Sequence, residues 1–296
     1  MQTIQWFPGH MAKARREIQA SIKMVDAIIE LVDARLPMAS SNPLLKDLIG
    51  ARPRLLVMTR KDLADESQTK QWLQKFEHQG ISAIAIDAQT GSQVQRIIPA
   101  LEMAAKAKRE REARRGMRPR PLRTMVVGIP NVGKSSLINR LAKRSAVKTG
   151  DRPGITKAQQ WVRIGSIELL DTPGVLWPKI DSPEDGYLLA MSGAIKPEIL
   201  DHVDLALHAL QFLIRYYPHL VEERWQIEAH SYASYSLDEP EGAEAFLDLF
   251  EKMTRMKGML MSGARPDLER MAESLLRELQ TGKLGRVSFE WVHGQE

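Results

Sequence analysis

An α/β sheet domain followed by a smaller all-helical region is the fold this chain predicts, on three observations. Short apolar runs of strand length recur between residues 28 and 170, most of them followed by turn residues or a helical pattern. A phosphate-cradling octapeptide, Gly128-Ile129-Pro130-Asn131-Val132-Gly133-Lys134-Ser135, follows one of those runs and opens a helical pattern. Beyond Asp181-Ser182-Pro183, strand-like runs become rare, and apolar residues recur at three- and four-residue spacing.

Taken in order, Ile28-Ile29-Glu30-Leu31-Val32 runs into Asp33-Ala34-Arg35, and Leu55-Leu56-Val57-Met58 runs into Thr59-Arg60-Lys61-Asp62. Ala83-Ile84-Ala85-Ile86 leads to Asp87-Ala88-Gln89-Thr90-Gly91, and Thr124-Met125-Val126-Val127 leads to the phosphate loop. Trp161-Val162-Arg163-Ile164 and Ile167-Glu168-Leu169-Leu170 read as a hairpin around Gly165 that ends at Asp171-Thr172-Pro173-Gly174. Each loop thus falls at the C-terminal end of a strand, where open α/β sheets bind ligands. Helical periodicity covers Asp201 to Tyr217, Glu241 to Met261 and Pro266 to Gln280, broken by Pro218, Gly263 and Gly282.

Composition narrows the class. A chain of 296 residues suggests two domains at roughly 150 residues each. There is no cysteine, which excludes disulfides and thiolate metal sites. No apolar run approaches the roughly 20 residues of a membrane span. The N-terminus lacks the basic-then-apolar layout of a secretion signal, so a cytoplasmic location is expected. Between Lys106 and Arg123 nine basic residues face two acids, Glu110 and Glu112. Such a run attracts phosphate backbones or forms a solvated helix end and linker, and composition alone leaves both open.

The chemistry lies in the loops. Glycines at 128 and 133 let backbone N–H groups curl around a β-phosphate, and Lys134 brings a point charge to the β/γ oxygens. The Ser135 hydroxyl suits Mg²⁺, and Ser136 reaches the α-phosphate as the helix begins. Asp171 holds Mg²⁺ through water, the Gly174 N–H meets the γ-phosphate, and the Thr156 hydroxyl in Pro153-Gly154-Ile155-Thr156 completes the metal shell. Asn131 and Val132 complete the nucleotide cradle, and Asn131 also suits a potassium ion, which would supply positive charge to the reaction.

Base recognition falls to Thr59-Arg60-Lys61-Asp62. Asp62 is the carboxylate that accepts from guanine, Arg60 stacks its guanidinium and stem on the base, and Thr59 is shorter than the usual asparagine. In the Asp87-Ala88 stretch, the Ala88 N–H faces the guanine oxygen. Residue 175, after Asp-Thr-Pro-Gly, is a valine that cannot orient water, so a hydrolytic residue must come from elsewhere. His10 in Phe7-Pro8-Gly9-His10-Met11 is the leading choice, against a surface or packing histidine. With Lys134 and Thr156 it makes up the expected catalytic set.

The base loop precedes the phosphate loop in the chain, the reverse of an ordinary guanine-nucleotide switch. That order predicts a circularly permuted P-loop GTPase domain, a Ras-like sheet with helices on both faces. Residues 1–180 are assigned to it, with a base-reading half over 1–115 and a phosphate-binding half over 120–180 joined near Arg115-Gly116. Residues 181–296 form the helical domain and a short tail. Together with Trp6-Phe-Pro-Gly-His10-Met11, Val32-Asp-Ala-Arg35-Leu-Pro37 and Gly282-Lys-Leu-Gly-Arg286, these motifs resemble the circularly permuted GTPases of the ribosome biogenesis GTPase A (YlqF) family over nearly the whole chain.

The resemblance implies a cytoplasmic GTPase acting late in assembly of the large (50S) ribosomal subunit, binding its rRNA through a helical C-terminal domain, with a hydrophobic residue at the glutamine position. GTP or GDP, Mg²⁺ and K⁺ are the expected cofactors. The expected partners are the large subunit and its rRNA, with no DNA, no membrane and a monomeric state. Lys283 and Arg286, flanking glycines in a tail free of packing, are the expected phosphate contacts. Trp225, Tyr232 and Tyr235 read as core aromatics ahead of base-stacking ones. The alternative is a GTP-binding scaffold or regulator of another RNA or protein, with no stimulated turnover.

Overall fold

The computed structural model describes residues 19–42, 48–88, 90–149, 161–170, 182–195 and 201–292. The chain divides into two compact units, one built on a sheet and the other, Ser182–Val287, on helices.

Six strands make the sheet: β1 (Ala27–Asp33), β2 (Arg54–Thr59), β3 (Ser82–Ala85), β4 (Leu122–Gly128), β5 (Trp161–Ile164) and β6 (Ile167–Leu170). Their order is β3-β2-β1-β4-β6-β5, parallel except for the antiparallel β5–β6 hairpin at one edge. All six runs picked out in the sequence are strands, and the hairpin turns at Gly165 as expected (φ 60°).

The central strand β1 is buried at every position, as a strand covered on both faces must be. Ile28, Met125, Val127 and Leu170 pack with Ile22, Val25 and Ile49 in one cluster, and Val32, Leu56, Met58 and Ala85 pack with Trp72 and Phe76 in another. Trp72 and Phe76 belong to α1 (Glu66–His78), whose N-cap Asp65 accepts from the Gln68 N–H at 3.0 Å.

Register then places the loops. Asp33 pairs with Thr59, and Leu31 with Gly128, so the ends of β1, β2 and β4 lie side by side. The chain winds outward from β1 through β2 to β3, then returns to β1's other side with β4. That reversal of strand order is the crevice where doubly wound sheets take ligands.

Between the two halves lie α2 (Ile97–Ala104) and α3 (Lys106–Arg114), with a break at Gly116 (φ 72°) where the linker was expected. Asp26, just before β1, anchors this joint. Its carboxylate accepts from Lys108 Nζ at 2.7 Å, from Arg120 at 2.5 and 2.9 Å, and from the Arg123 N–H at 3.1 Å. Burial pushes the Asp26 carboxyl up, but these hydrogen bonds and the Lys108 charge outweigh it and hold it far below the carboxylate range. Four of the nine basic residues are therefore paired within the fold, since Arg109 also meets Glu112 and Arg123 meets Glu168.

The helical unit contains α5 (Pro183–Met191), α6 (His202–Tyr216), α7 (Pro218–Trp225), α8 (Pro240–Met256) and α9 (Leu268–Gln280). The buried stripe of α6 (Leu205, Ala209, Leu213) and that of α9 (Met271, Leu275, Leu279) carry apolar residues at helical spacing. Side chains of Ser182, Asp201 and Asp267 cap α5, α6 and α9. Trp225 is buried, in line with its reading as a core aromatic.

Two details correct the sequence reading. The helix expected to reach Met261 ends at Met256, because Gly258 adopts φ 64° and Leu260 forms an antiparallel bridge with Pro266. The Gly282–Arg286 segment is also packed rather than loose. Leu284 and Val287 are buried, and a Cβ on Gly285 would come within 2.8 Å of Leu220. Lys283 and Arg286 remain exposed on that packed turn.

After Val287 the chain rejoins the sheet unit, although the boundary read from sequence kept it with the helices through residue 296. The N–H groups of Phe289 and Glu290 donate to the Arg35 carbonyl at 2.6 and 3.1 Å. The Glu290 carboxylate accepts from the Met38 and Ala39 N–H groups at 2.7 and 2.6 Å. Trp72 Nε1 donates to the Glu290 carbonyl at 3.2 Å.

Candidate nucleotide-binding site

The phosphate loop leaves β4 at Gly128. A Cβ there would lie 2.6 Å from the Leu31 carbonyl oxygen of the neighbouring strand, and φ is 156°, so only glycine fits. Asn131 then adopts a left-handed conformation (φ 57°) and Gly133 follows at φ 101°, which curls the loop before α4 (Lys134–Thr149) begins. Lys134 is buried, and its Nζ donates to the Gly128 and Ile129 carbonyls at 3.0 and 2.6 Å. These bonds hold the ammonium inside the curl of the loop, where a bound phosphate would lie. Ser135 and Ser136 are exposed on the first turn of α4. A helix N-terminus with exposed hydroxyls and an interior cation has the character of an anion cradle.

The base loop faces this cradle from β2. Thr59 is buried, and its Oγ1 lies 2.7 Å from the Val132 carbonyl and 3.1 Å from that of Val32. A hydroxyl donates one hydrogen, so the shorter contact ties the base loop to the phosphate loop. Arg60, at φ 56°, extends Nη2 to the Asn131 carbonyl at 2.8 Å and Nη1 to Asp33 Oδ2 at 3.4 Å. Lys61 donates its N–H to the Ile86 carbonyl at 3.2 Å, and Asp62 is exposed beside it.

A third loop follows β3. The Asp87 carboxylate accepts from the Thr90 N–H at 3.1 Å and from the Thr90 hydroxyl, so its oxygens close its own turn. That turn sets Ala88 opposite the phosphate loop. A Cβ on Gly133 would meet Ala88 Cβ at 4.0 Å and Thr59 Cγ2 at 3.9 Å. The three loops expected to read a nucleotide therefore converge at the ends of β1, β2 and β4.

Of the expected site residues, Thr59, Arg60, Lys61, Asp62, Asp87, Ala88, Asn131, Val132, Gly133, Lys134, Ser135 and Ser136 lie in this cluster. His10, Thr156, Asp171, Gly174 and Val175 lie outside the described residues. Lys283 and Arg286 lie in the helical unit.

Sequence reasoning missed Asp33. It ends β1 fully buried and carries a second guanidinium, accepting from Arg35 Nε at 3.0 Å, Nη2 at 2.8 Å and the backbone N–H at 3.0 Å. Burial pushes the Asp33 carboxyl up, but the Arg35 and Arg60 charges overcome this and hold it below its ordinary value. The Arg60 pKa is lowered as well, but by burial, which the Asp33 charge only partly offsets. The available signal was the acid-x-base spacing of Asp33-Ala34-Arg35 at a strand end.

The model of the 50S ribosome-binding GTPase family matches residues 123–241. Its match starts at β4, so the base loop lies upstream of it, as permutation requires. The ribosome biogenesis GTPase A of Bacillus cereus is 46% identical over 288 residues, covering 97% of this chain and 93% of that protein. Among solved structures, GDP-bound TM YlqF superposes with a TM-score of 0.68 at 27% identity, covering 93% of this chain and 99% of that one. GNP-bound YlqF from T. maritima gives 0.63 at 27% identity, with 94% and 98% covered.

Proposed function

We propose that this chain, which belongs to the ribosome biogenesis GTPase A family, is a GTP-hydrolysing switch for a late step of large ribosomal subunit assembly. It is a GTPase, and its role lies in ribosome biogenesis. The finer reading is that it binds large-subunit rRNA and leaves on hydrolysis; the description of the matching family model as a 50S ribosome-binding GTPase supports the attachment to the large subunit. The observation that carries the guanine-nucleotide part is the Thr59–Val132 tie at 2.7 Å, which joins base and phosphate loops across a permuted chain.

Each described residue then has a task. The N–H groups of the 128–136 loop line the phosphates, and Lys134 sets a cation against the bridging oxygens as negative charge develops there. Arg60 presents a flat guanidinium for the base to stack upon, and Asp62, exposed beside it, accepts from the guanine edge. Ser135 offers an uncharged oxygen at the mouth of the loop, a hard donor that suits Mg²⁺. When bound, the metal neutralises charge on the β- and γ-oxygens. Thr156, Asp171 and Gly174 are assigned to the same metal and γ-phosphate shell. The exposed Asn131 side chain is the assigned potassium contact.

Val175 brings no hydrogen bond to a water, so His10 is assigned the water-orienting role, supplied from the N-terminal segment. Slow turnover alone and faster turnover on the particle follow if binding to the ribosome brings His10 to the attacking water. Lys283 and Arg286 are the assigned rRNA phosphate contacts, acting as a monomer in the cytoplasm.

The test is GTP hydrolysis in potassium buffer with and without purified large subunits. Strong stimulation supports the assembly switch. Tight GTP binding with a flat response would replace it with the scaffold reading.

A further inference from the structure

Arg60 is held in a strained backbone conformation, φ 56° with a side chain that carries a Cβ. Such a conformation persists where surrounding contacts over-determine it. Two of those contacts are on the guanidinium itself: Nη2 to the Asn131 carbonyl and Nη1 to Asp33.

Asp33 in turn is fixed by Arg35, which is 1% exposed and bidentate on its carboxylate. Arg35 is covered by the returning tail. The Phe289 ring sits 5.6 Å from its guanidinium carbon, and its carbonyl accepts from two tail N–H groups. Beyond Arg35 the tail is fastened by Glu290 on the turn after β1, by Ser288 Oγ accepting from the Asp65 N–H at 3.1 Å, and by the Val292 N–H donating to Gln68 Oε1 at 3.2 Å. One chain of contacts thus runs from the tail through Arg35 and Asp33 to the base loop and the phosphate loop.

Charge explains why this arrangement is poised. One buried carboxylate serves two guanidiniums, and Arg35 takes the short bidentate contact while Arg60 takes the longer one at 3.4 Å. Displacing Arg35 would leave Asp33 free to draw Arg60 inward, away from the Asn131 carbonyl. The tail opposes that displacement.

We infer that Asp33 is a positioning residue for guanine-nucleotide binding, setting the plane of Arg60, and that the Ser288–Val292 tail tunes affinity by locking Arg35 against Asp33. This rests on the reading of Thr59–Asp62 as the base loop. Physical coupling of this kind is established by mutational cycles rather than by proximity.

The experiment is equilibrium and stopped-flow binding of a fluorescent GDP analogue to the full chain. Asp33→Asn is expected to weaken GDP about tenfold, the scale of losing a charged hydrogen-bond partner. Glu290→Ala, remote from the nucleotide, is expected to weaken it about threefold, through faster release. Its steady-state signature is a raised KM for GTP with kcat preserved.

Because either variant also lowers stability, each is repeated in an Arg60→Ala background. There neither has a further effect on GDP affinity, while both still lower the melting temperature. Additive losses of affinity in that background, or unchanged affinity in folded Asp33→Asn, would overturn the inference. The base-loop reading fails separately: the unmodified chain would then bind ADP as tightly as GDP.

Discussion

Thr59 and Val132 meet across a gap of 73 residues in sequence, the Thr59 hydroxyl donating to the Val132 carbonyl at 2.7 Å. An asparagine usually occupies the Thr59 position, and a hydroxyl with one hydrogen makes only part of its contacts. The part kept here is the one that fixes the distance between base and phosphate loops. Thr59→Val keeps the shape and removes the donor, leaving a buried carbonyl short of a partner at a cost of about 1–3 kcal/mol. GDP affinity should fall about tenfold in a fluorescence titration, and Thr59→Asn should recover it.

Lys134 sits inside the phosphate loop with its ammonium on two loop carbonyls. Lys134→Ala removes the one side-chain cation described within that curl. GTP turnover, followed by phosphate release, should drop by roughly a hundredfold or more. Turnover at the parent rate would relocate the site.

Gly128→Ala tests backbone geometry. The new Cβ lies 2.6 Å from the Leu31 oxygen, at a φ that side chains avoid. The sheet unit should lose more than about 2 kcal/mol in urea unfolding, because β1 and β4 cannot move apart without breaking their ladder.

Glu278 links three elements of the helical unit, accepting from Arg224 at 2.9 and 3.2 Å and from Lys257 at 2.5 Å. Burial raises its carboxyl, but the Arg224 and Lys257 contacts prevail and bring it down to about 2. A pKa lowered by folding gives stability that is complete above the unfolded value and is lost as pH falls through the folded one. Melting followed by circular dichroism should therefore show a decline between the ordinary carboxylate range and pH of about 2. In Glu278→Gln that part of the pH dependence should be absent.

For His10 the expected outcome is kinetic. His10→Ala should lower subunit-stimulated GTP turnover about a hundredfold, within the range for a positioned acid–base group, and leave the GDP dissociation constant within twofold of the parent, roughly 0.4 kcal/mol. Unchanged stimulated turnover would assign the water to another residue.

The strands and loops were legible because each obeys a local rule: apolar runs of period two or full burial, closed by glycine or a turn. Even the permuted connectivity was visible, since it is a statement about motif order. What could not be read was which side chains meet across strands. Thr59 looked like a weakened asparagine until β2 and β4 were set on either side of β1. Asp33 and Arg35 stood in the sequence only as the residues that follow a strand, and the tail that covers Arg35 lies more than 250 residues away, as the Met38–Glu290 bond records. The basic run stayed open between two readings for the same reason: Asp26, which holds Lys108, Arg120 and the Arg123 N–H, lies 82 to 97 positions upstream of them.

The pairing of Ala27 with Thr124 spans 97 positions (124 − 27), so β1 must wait a long time for one of its two neighbours. While the chain is being synthesised, β1, β2 and β3 can assemble with one side of β1 still open to other strands. The arrival of β4 closes that open side and delivers the phosphate loop in the same event. Competence to bind nucleotide is therefore a report that the vulnerable edge has been sealed, and a partly made molecule cannot give that report early.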